Sequence, residues 1–142
     1  MLLDANLPIY GVDPSAAHHA VARRWLEESM ASDAPIAFPL ISQLAFLRVT
    51  TNRKLASAPR PVVEVFMTLR LWLEQPNVWV PAPGAGHLAI FQALSERYAL
   101  SGPDLMDGHL AALAIEHDLT IVSFDRGFGR FAEVRWLNPA SP

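Results

Sequence analysis

The sequence has no cysteine among its 142 residues, which excludes disulfides, thiolate metal centres and the disulfide-built secreted scaffolds. No stretch approaches the roughly 18 uninterrupted apolar residues of a membrane-spanning helix. Charge is scarce: charged residues are 18% of the chain and apolar ones 51%. That ratio excludes a disordered segment and leaves apolar surface to spare for a partner. The basic excess of a typical nucleic-acid binder is also missing, because the net charge is −3. Local fields matter more than totals, however, and Arg23, Arg24, Arg48, Arg53, Lys54 and Arg60 all fall in the first half. There is no P-loop, no G-x-G-x-x-G and no G-x-S-x-G, so nucleotide-dependent enzymes and serine hydrolases lack their chemistry here. The opening stretch, MLLDANLPIYGVD, has no basic leader and meets an acid at Asp4. It does not read as a signal peptide, and the cytoplasm is the expected compartment.

What is present is an alternation of short apolar strands and helical patterns. Leu2 and Leu3 read as a first buried strand that ends at Asp4. Ser15 is placed to cap a helix running to about Met30. Pro35 to Phe38 reads as a short strand or extended loop, and Leu40 to Thr51 as a helix. The segment ASAPRP at 56–61 is a loop by composition, and Pro61 suits the start of a helix reaching about Gln75. Val78–Val80 is β-prone, and Gly86 to Tyr98 is helical by spacing. Asp104 is the expected cap of a helix through Leu105–His117. Thr120–Ser123 is a buried strand, Val134–Leu137 a final one, and Pro139 onward a tail. This order predicts an α/β fold of three layers, α/β/α, with a short, mostly parallel central sheet in a single domain over 1–142.

Three aspartates stand where such a fold gathers ligands. Asp4 closes the first strand, Asp107 lies in the first turn of the late helix, and Asp125 follows the TIVS strand by two residues. In a parallel sheet, strand carboxyl ends and helix amino ends share one edge, so distant carboxylates converge. Clustered carboxylates repel one another unless some take up protons. A hard divalent cation such as Mg²⁺ or Mn²⁺ removes that cost, and oxygen ligands suit it. Simpler readings stand beside this one. Asp107 favours the helix dipole where it is, and Asp125 in S-F-D-R-G suits a turn.

These residues carry a resemblance. Asp4-Ala5-Asn6 with Leu7, Ile9 and Tyr10 resembles the opening D-x-N motif of PIN-domain nucleases. The run Asp107-Gly108-His109-Leu110-Ala111-Ala112-Leu113-Ala114 resembles their central helix. Ser123-Phe124-Asp125-Arg126-Gly127-Phe128 resembles their S-x-D-x-D-F loop, and Arg135-Trp136-Leu137-Asn138-Pro139 their usual ending. Among such proteins the sequence is most similar to the VapC-type toxins of toxin–antitoxin modules. The resemblance implies a PIN-like fold and a Mg²⁺- or Mn²⁺-dependent ribonuclease in which Asp4, Asp107 and Asp125 are catalytic and hold the metal. It implies that Asn6 and Ser123 orient these carboxylates by hydrogen bonds; an Asx turn and a strand-end hydroxyl are the plainer alternatives. It further implies an RNA substrate such as tRNA, a homodimer and a cognate VapB-type antitoxin. Arg48 and Arg126 are the expected substrate-binding residues.

The sequence departs from the family pattern at two acidic positions. Where relatives carry a glutamate in a stretch like E-F-L-R-V, this chain has Ala45-Phe46-Leu47-Arg48-Val49. Where they carry a second aspartate in the last motif, it has Gly127. Three readings compete: a site with fewer protein ligands and more water, an acid at position 45 deliberately replaced by alanine because an active toxin is hard to produce, or a catalytically impaired module that binds antitoxin or RNA without cleavage. A phosphoacceptor domain also collects aspartates at strand ends, but it needs a lysine near a late strand, and the only lysine is Lys54. The histidines (His18, His19, His87, His109 and His117) show no zinc-type spacing and are expected in solvated or capping roles. Glu27, Glu28, Glu64, Glu74, Glu96, Glu116 and Glu133 are expected to face solvent. The four tryptophans are expected in core or interface rather than stacked on bases.

Overall fold

The computed structural model describes residues 1–141. Its strands are β1 (Leu2–Leu3), β2 (Ile36–Ala37), β3 (Val78–Trp79), β4 (Thr120–Val122) and β5 (Arg135–Leu137), and its α-helices are α1 (Asn6–Val12), α2 (His19–Met30), α3 (Leu40–Thr51), α4 (Val62–Leu73), α5 (His87–Arg97) and α6 (Asp104–Glu116). The strands form one sheet in the order β3-β2-β1-β4-β5, and every pairing is parallel. Leu2 pairs with Ala37 on one side and Ile121 on the other, and Leu3 pairs with Val122.

Side chains alternate across a strand, so neighbouring residues feed opposite faces. Leu2, Ala37 and Ile121 join Leu94, Leu110 and Leu113 in a core beneath α5 and α6. Leu3, Ile36 and Val122 join Leu7, Leu26, Phe46, Val65 and Leu69 in a second core beneath α1 to α4. Both faces are therefore covered, and the three-layer α/β/α expectation holds. Strands of only two or three residues suffice because these central pairs are buried on both sides.

Several local expectations change. Two residues after Asp4 the chain inserts α1, a segment with no periodic helical signal. Pro8 is tolerated there because it lies in the first turn, where an N–H has no intrahelical partner. Gly11 permits the close approach of α2: a Cβ there would stand 2.6 Å from Leu26 Cδ1. Consequently α2 begins at His19, not near Ser15, and Ser15 instead joins Ser57 and Asp13 in a surface hydrogen-bond cluster. Asp104 is the first residue of α6 and makes no cap bond.

The helix α3 also turns opposite to its simplest reading. Ser42, Gln43 and Thr50 are buried, while Leu40 and Leu44 are more than half exposed. The buried amide and Thr50 are satisfied locally: Gln43 Nε2 donates to Phe38 O at 2.7 Å and Thr50 Oγ1 to Phe46 O at 2.7 Å. Val62, Val63, Phe66, Met67 and Leu71 of α4 are exposed as well, so α3 and α4 present apolar side chains to the outside.

Candidate functional site

The carboxyl ends of β1 and β4 lie side by side because Leu3 pairs with Val122. Each strand continues into a polar residue of the same edge, Asp4 and Ser123. The helix α6 enters this edge by its amino end, since it precedes a parallel strand, and brings Asp104 and Asp107 in its first turn. Asp4, Asp107, Ala45, Arg48, Ser42 and Met106 share one cleft of about 450 Å³. Asp125 does not line that cleft, yet its charge is felt by both Asp4 and Asp107. A larger cavity of about 640 Å³ is lined by Ile9, Tyr10, Val49, Leu55 and Arg60. It contains none of these three aspartates, so chemistry and not volume singles out the smaller cleft.

Ser123 is the hub of the arrangement and is completely buried. Its hydroxyl donates to Asp4 Oδ2 at 2.6 Å and accepts from Asn6 Nδ2 at 2.8 Å and from the Asp125 N–H at 2.9 Å. One donor and two acceptors exhaust a hydroxyl. Asn6 Oδ1 accepts in turn from the Phe124 N–H at 3.3 Å. On the other side, Trp136 Nε1 donates to the Ser123 carbonyl at 3.0 Å, so β5 holds the serine backbone in place. Asp4 Oδ1 accepts from the Ala5 N–H at 2.6 Å. Asp125 caps the short 3₁₀ turn Arg126–Arg130 by accepting from the Gly127 N–H at 2.7 Å. A Cβ on Gly127 would come within 3.0 Å of Asp125 Oδ1, the movable end of that side chain.

The electrostatics follow from this crowding. Burial pushes the Asp4 carboxyl above its ordinary value; the Ser123 and Ala5 hydrogen bonds oppose that, and Asp125 adds to it. Asp107 is pushed up to about 6, chiefly by burial, with Asp125, Asp4 and Asp104 raising it further and Arg130 pulling it down. Arg130 donates from Nη2 to Asp107 Oδ2 at 2.9 Å and lies 3.5 Å from Asp104 Oδ2. No sequence signal marked Arg130, because its relation to Asp107 exists only once the turn after β4 folds against α6.

The donor chemistry suits a hard cation: oxygen ligands, two of which burial and the Asp125 charge raise above their ordinary pKa. Among the described residues no three acidic or histidine side chains form a preset metal cage. Any cation held here would take its remaining ligands from water.

Of the other singled-out residues, Arg48 and Arg126 are exposed and, among the described residues, have no ion pair; Arg48 lines the cleft and Arg126 follows Asp125. The histidine expectation is corrected at His87, which is buried. Its Nδ1 meets Glu116 Oε2 at 2.7 Å and its Nε2 meets His109 Nδ1 at 2.9 Å. Glu116 is therefore not solvent-facing; it anchors the 84–87 turn to the end of α6, with the Gly84 N–H donating to it at 3.4 Å. The reach of His109 toward His87 takes it away from Asp107, as its helical spacing requires.

The PIN domain family matches residues 1–134. Ribonuclease VapC31 of Mycobacterium tuberculosis is 35% identical over 138 residues, covering 97% of both chains. Ribonuclease VapC25 of the same organism is 33% identical over 138 residues with the same coverage. The fold is also that of VapBC2 from Rickettsia felis, solved bound to a DNA fragment from the promoter, with a TM-score of 0.67 at 18% identity and 96% coverage of each chain. With an aspartate-lined edge built on this sheet and full-length identity to curated relatives, the chain belongs to the PIN-domain family and, within it, to the VapC ribonucleases.

Proposed function

We propose that this chain is an endoribonuclease toxin that hydrolyses RNA phosphodiester bonds with the help of Mg²⁺ or Mn²⁺, and that a VapB-type antitoxin restrains it. The observation that carries the reading is the meeting of Asp4 and Asp107 in one cleft, within the field of Asp125, at the carboxyl edge of a parallel sheet. Asp4, Asp107 and Asp125 are the proposed catalytic and metal-holding residues. A divalent ion held by them supplies positive charge at the scissile phosphate and acidifies water.

The residues around them have assigned tasks in this reading. Ser123 and Asn6 fix the rotamer of Asp4 and the backbone at Asp125. Arg48 on the cleft wall and Arg126 beside Asp125 bind RNA phosphates, because an unpaired guanidinium suits phosphate oxygens. Ala45 lines the cleft without contributing oxygen, so its place in the ligand sphere falls to water. The exposed apolar residues of α3 and α4 offer surface for a second copy of the chain or for antitoxin. Named toxin–antitoxin complexes among the similar folds support that partner class. A compact structured RNA such as tRNA is the first substrate to try.

The test is a cleavage assay with Mn²⁺ on total RNA and on tRNA, using the native chain, Asp4→Asn and Ala45→Glu. Cutting by the native chain that disappears in Asp4→Asn supports the enzyme. Cutting gained only in Ala45→Glu means that the native chain is a silent binding module. No cleavage and no Mn²⁺ binding by any form removes the nuclease reading.

A further inference from the structure

We infer that Arg130 is a built-in competitor of the cation at Asp107, a positioning residue whose guanidinium sets how tightly a divalent ion is held; this rests on the reading of Asp107 as a metal ligand.

The guanidinium bridges two acids from the first turn of α6, at 2.9 Å from Asp107 and 3.5 Å from Asp104. It is not a loose surface charge. Its carrier turn is locked by Phe128 and Phe131, both buried in the core. The guanidinium carbon lies 4.9 Å from the centre of the Phe131 ring. Its Nε is buried and has no hydrogen-bond partner. An arginine that leaves its Nε–H unsatisfied while Nη2 donates to Asp107 and Nη1 stays within ion-pair reach of Asp104 is held there by geometry. Asp107 therefore has a resident positive neighbour, while Asp4 and Asp125 have no ion pair among the described residues.

A divalent ion sharing Asp107 meets this positive charge at short range, in a partly desolvated cleft. Two like charges so placed repel strongly enough to change affinity by an order of magnitude. Arg130 thus opposes metal capture while it keeps Asp107 aimed into the cleft. Without it the carboxylate cluster becomes more negative and holds a cation more tightly. This runs against the usual outcome of deleting a salt-bridge partner beside a metal ligand, where loss of orientation weakens binding.

Mn²⁺ binding to the purified chain is measured by calorimetry at pH 7.5 for the native protein, Arg130→Gln, Arg130→Met, Arg130→Lys and Asp107→Asn. The expected result is about tenfold tighter binding in the Gln and Met variants and native-like affinity in Lys, with binding weakened in Asp107→Asn. The Met variant keeps the aliphatic stem over Phe131 if Gln fails to fold. In the native chain, the Arg130 guanidinium NMR signals are followed during Mg²⁺ addition, and they are expected to shift and broaden as Asp107 is shared. Equal or weaker Mn²⁺ binding in folded Gln and Met variants, with Asp107→Asn still impaired, overturns the inference and leaves the site reading intact. Unmoved guanidinium signals at saturating Mg²⁺ overturn it as well. No Mn²⁺ binding by any form overturns both.

Discussion

Replacing Ser123 with alanine tests the hub on which the site is built. The hydroxyl is fully buried and makes three hydrogen bonds. Its removal strands Asn6 Nδ2, the Asp125 N–H and one oxygen of Asp4 in a space too small for a compensating side chain. An unsatisfied buried polar group costs about 1–3 kcal/mol, with charged groups at the upper end. The three groups are neighbours and relax together, so their costs do not add, and the expected loss is about 3 kcal/mol. That is a large share of the roughly 5–15 kcal/mol that holds a domain together, and it lowers the melting temperature by about 6–12 °C. Urea unfolding is the assay: the midpoint falls and the slope stays constant, because the surface exposed on unfolding is unchanged. Asn6→Ala reaches the same network from its other end. A double-mutant cycle between the two is expected to show a coupling of about 1 kcal/mol or more. The functional corollary is weaker Mn²⁺ binding in Ser123→Ala, since the lost O–H donor lets burial push Asp4 still higher. A Ser123→Ala protein within about 0.5 kcal/mol of native, or strict additivity with Asn6→Ala, would refute the reasoning.

Ala45→Glu places a carboxylate in the wall of the cleft that holds Asp4 and Asp107; Mn²⁺ affinity by calorimetry rises about tenfold or more, and with a chelator present the variant melts below the native chain, because a further like charge is added. Asp107, pushed up to about 6 in the fold against an ordinary value of 3.8, makes metal binding pH-dependent: Mn²⁺ affinity declines as pH falls through about 6, which calorimetry at pH 5 and pH 7.5 measures. The sign for stability is the reverse, since a raised carboxyl penalises the charged fold. With a chelator present, Asp107→Asn therefore gains on the native chain as pH rises from about 4 through about 6, as read by urea unfolding at each pH. Gly108→Ala puts a methyl 2.6 Å from Leu100 Cδ1 and 3.0 Å from Phe91 Cε2 between α5 and α6, and costs about 1–3 kcal/mol in the same assay unless those side chains give way.

Much of the architecture was legible because its signals are local. The runs Leu2–Leu3 and Ile121–Val122 are apolar, short and bounded; β1 matches the first, and β4 covers Thr120–Val122, one residue short of the strand expected to Ser123. Pro61 marked the start of α4, and the spacing of Leu40 to Thr51 marked α3 to the residue. The helix α1 was not legible, since NLPIYGV contains a proline and a glycine and no helical period. It forms because Pro8 falls in a first turn and Gly11 lets α2 pack close. The inward polar face of α3 was equally hidden, because burial of Gln43 depends on the Phe38 carbonyl being at hand to accept its amide.

By itself the sequence determined which chemistry was on offer: three aspartates, each beside a strand end or helix start, no thiol, and a hydroxyl and an amide nearby. Topology brought Asp4 and Asp107 into one cleft with Asp125 nearby, because a parallel sheet brings β1, β4 and the start of α6 to one edge however far apart they lie in the chain. Only the tertiary structure decided the details that set the electrostatics. It joined Ser123 to Asp4 across 119 residues, turned Arg130 onto Asp107, and buried His87 between Glu116 and His109. These contacts depend on side-chain direction and burial after packing, and residue order alone does not encode either one locally.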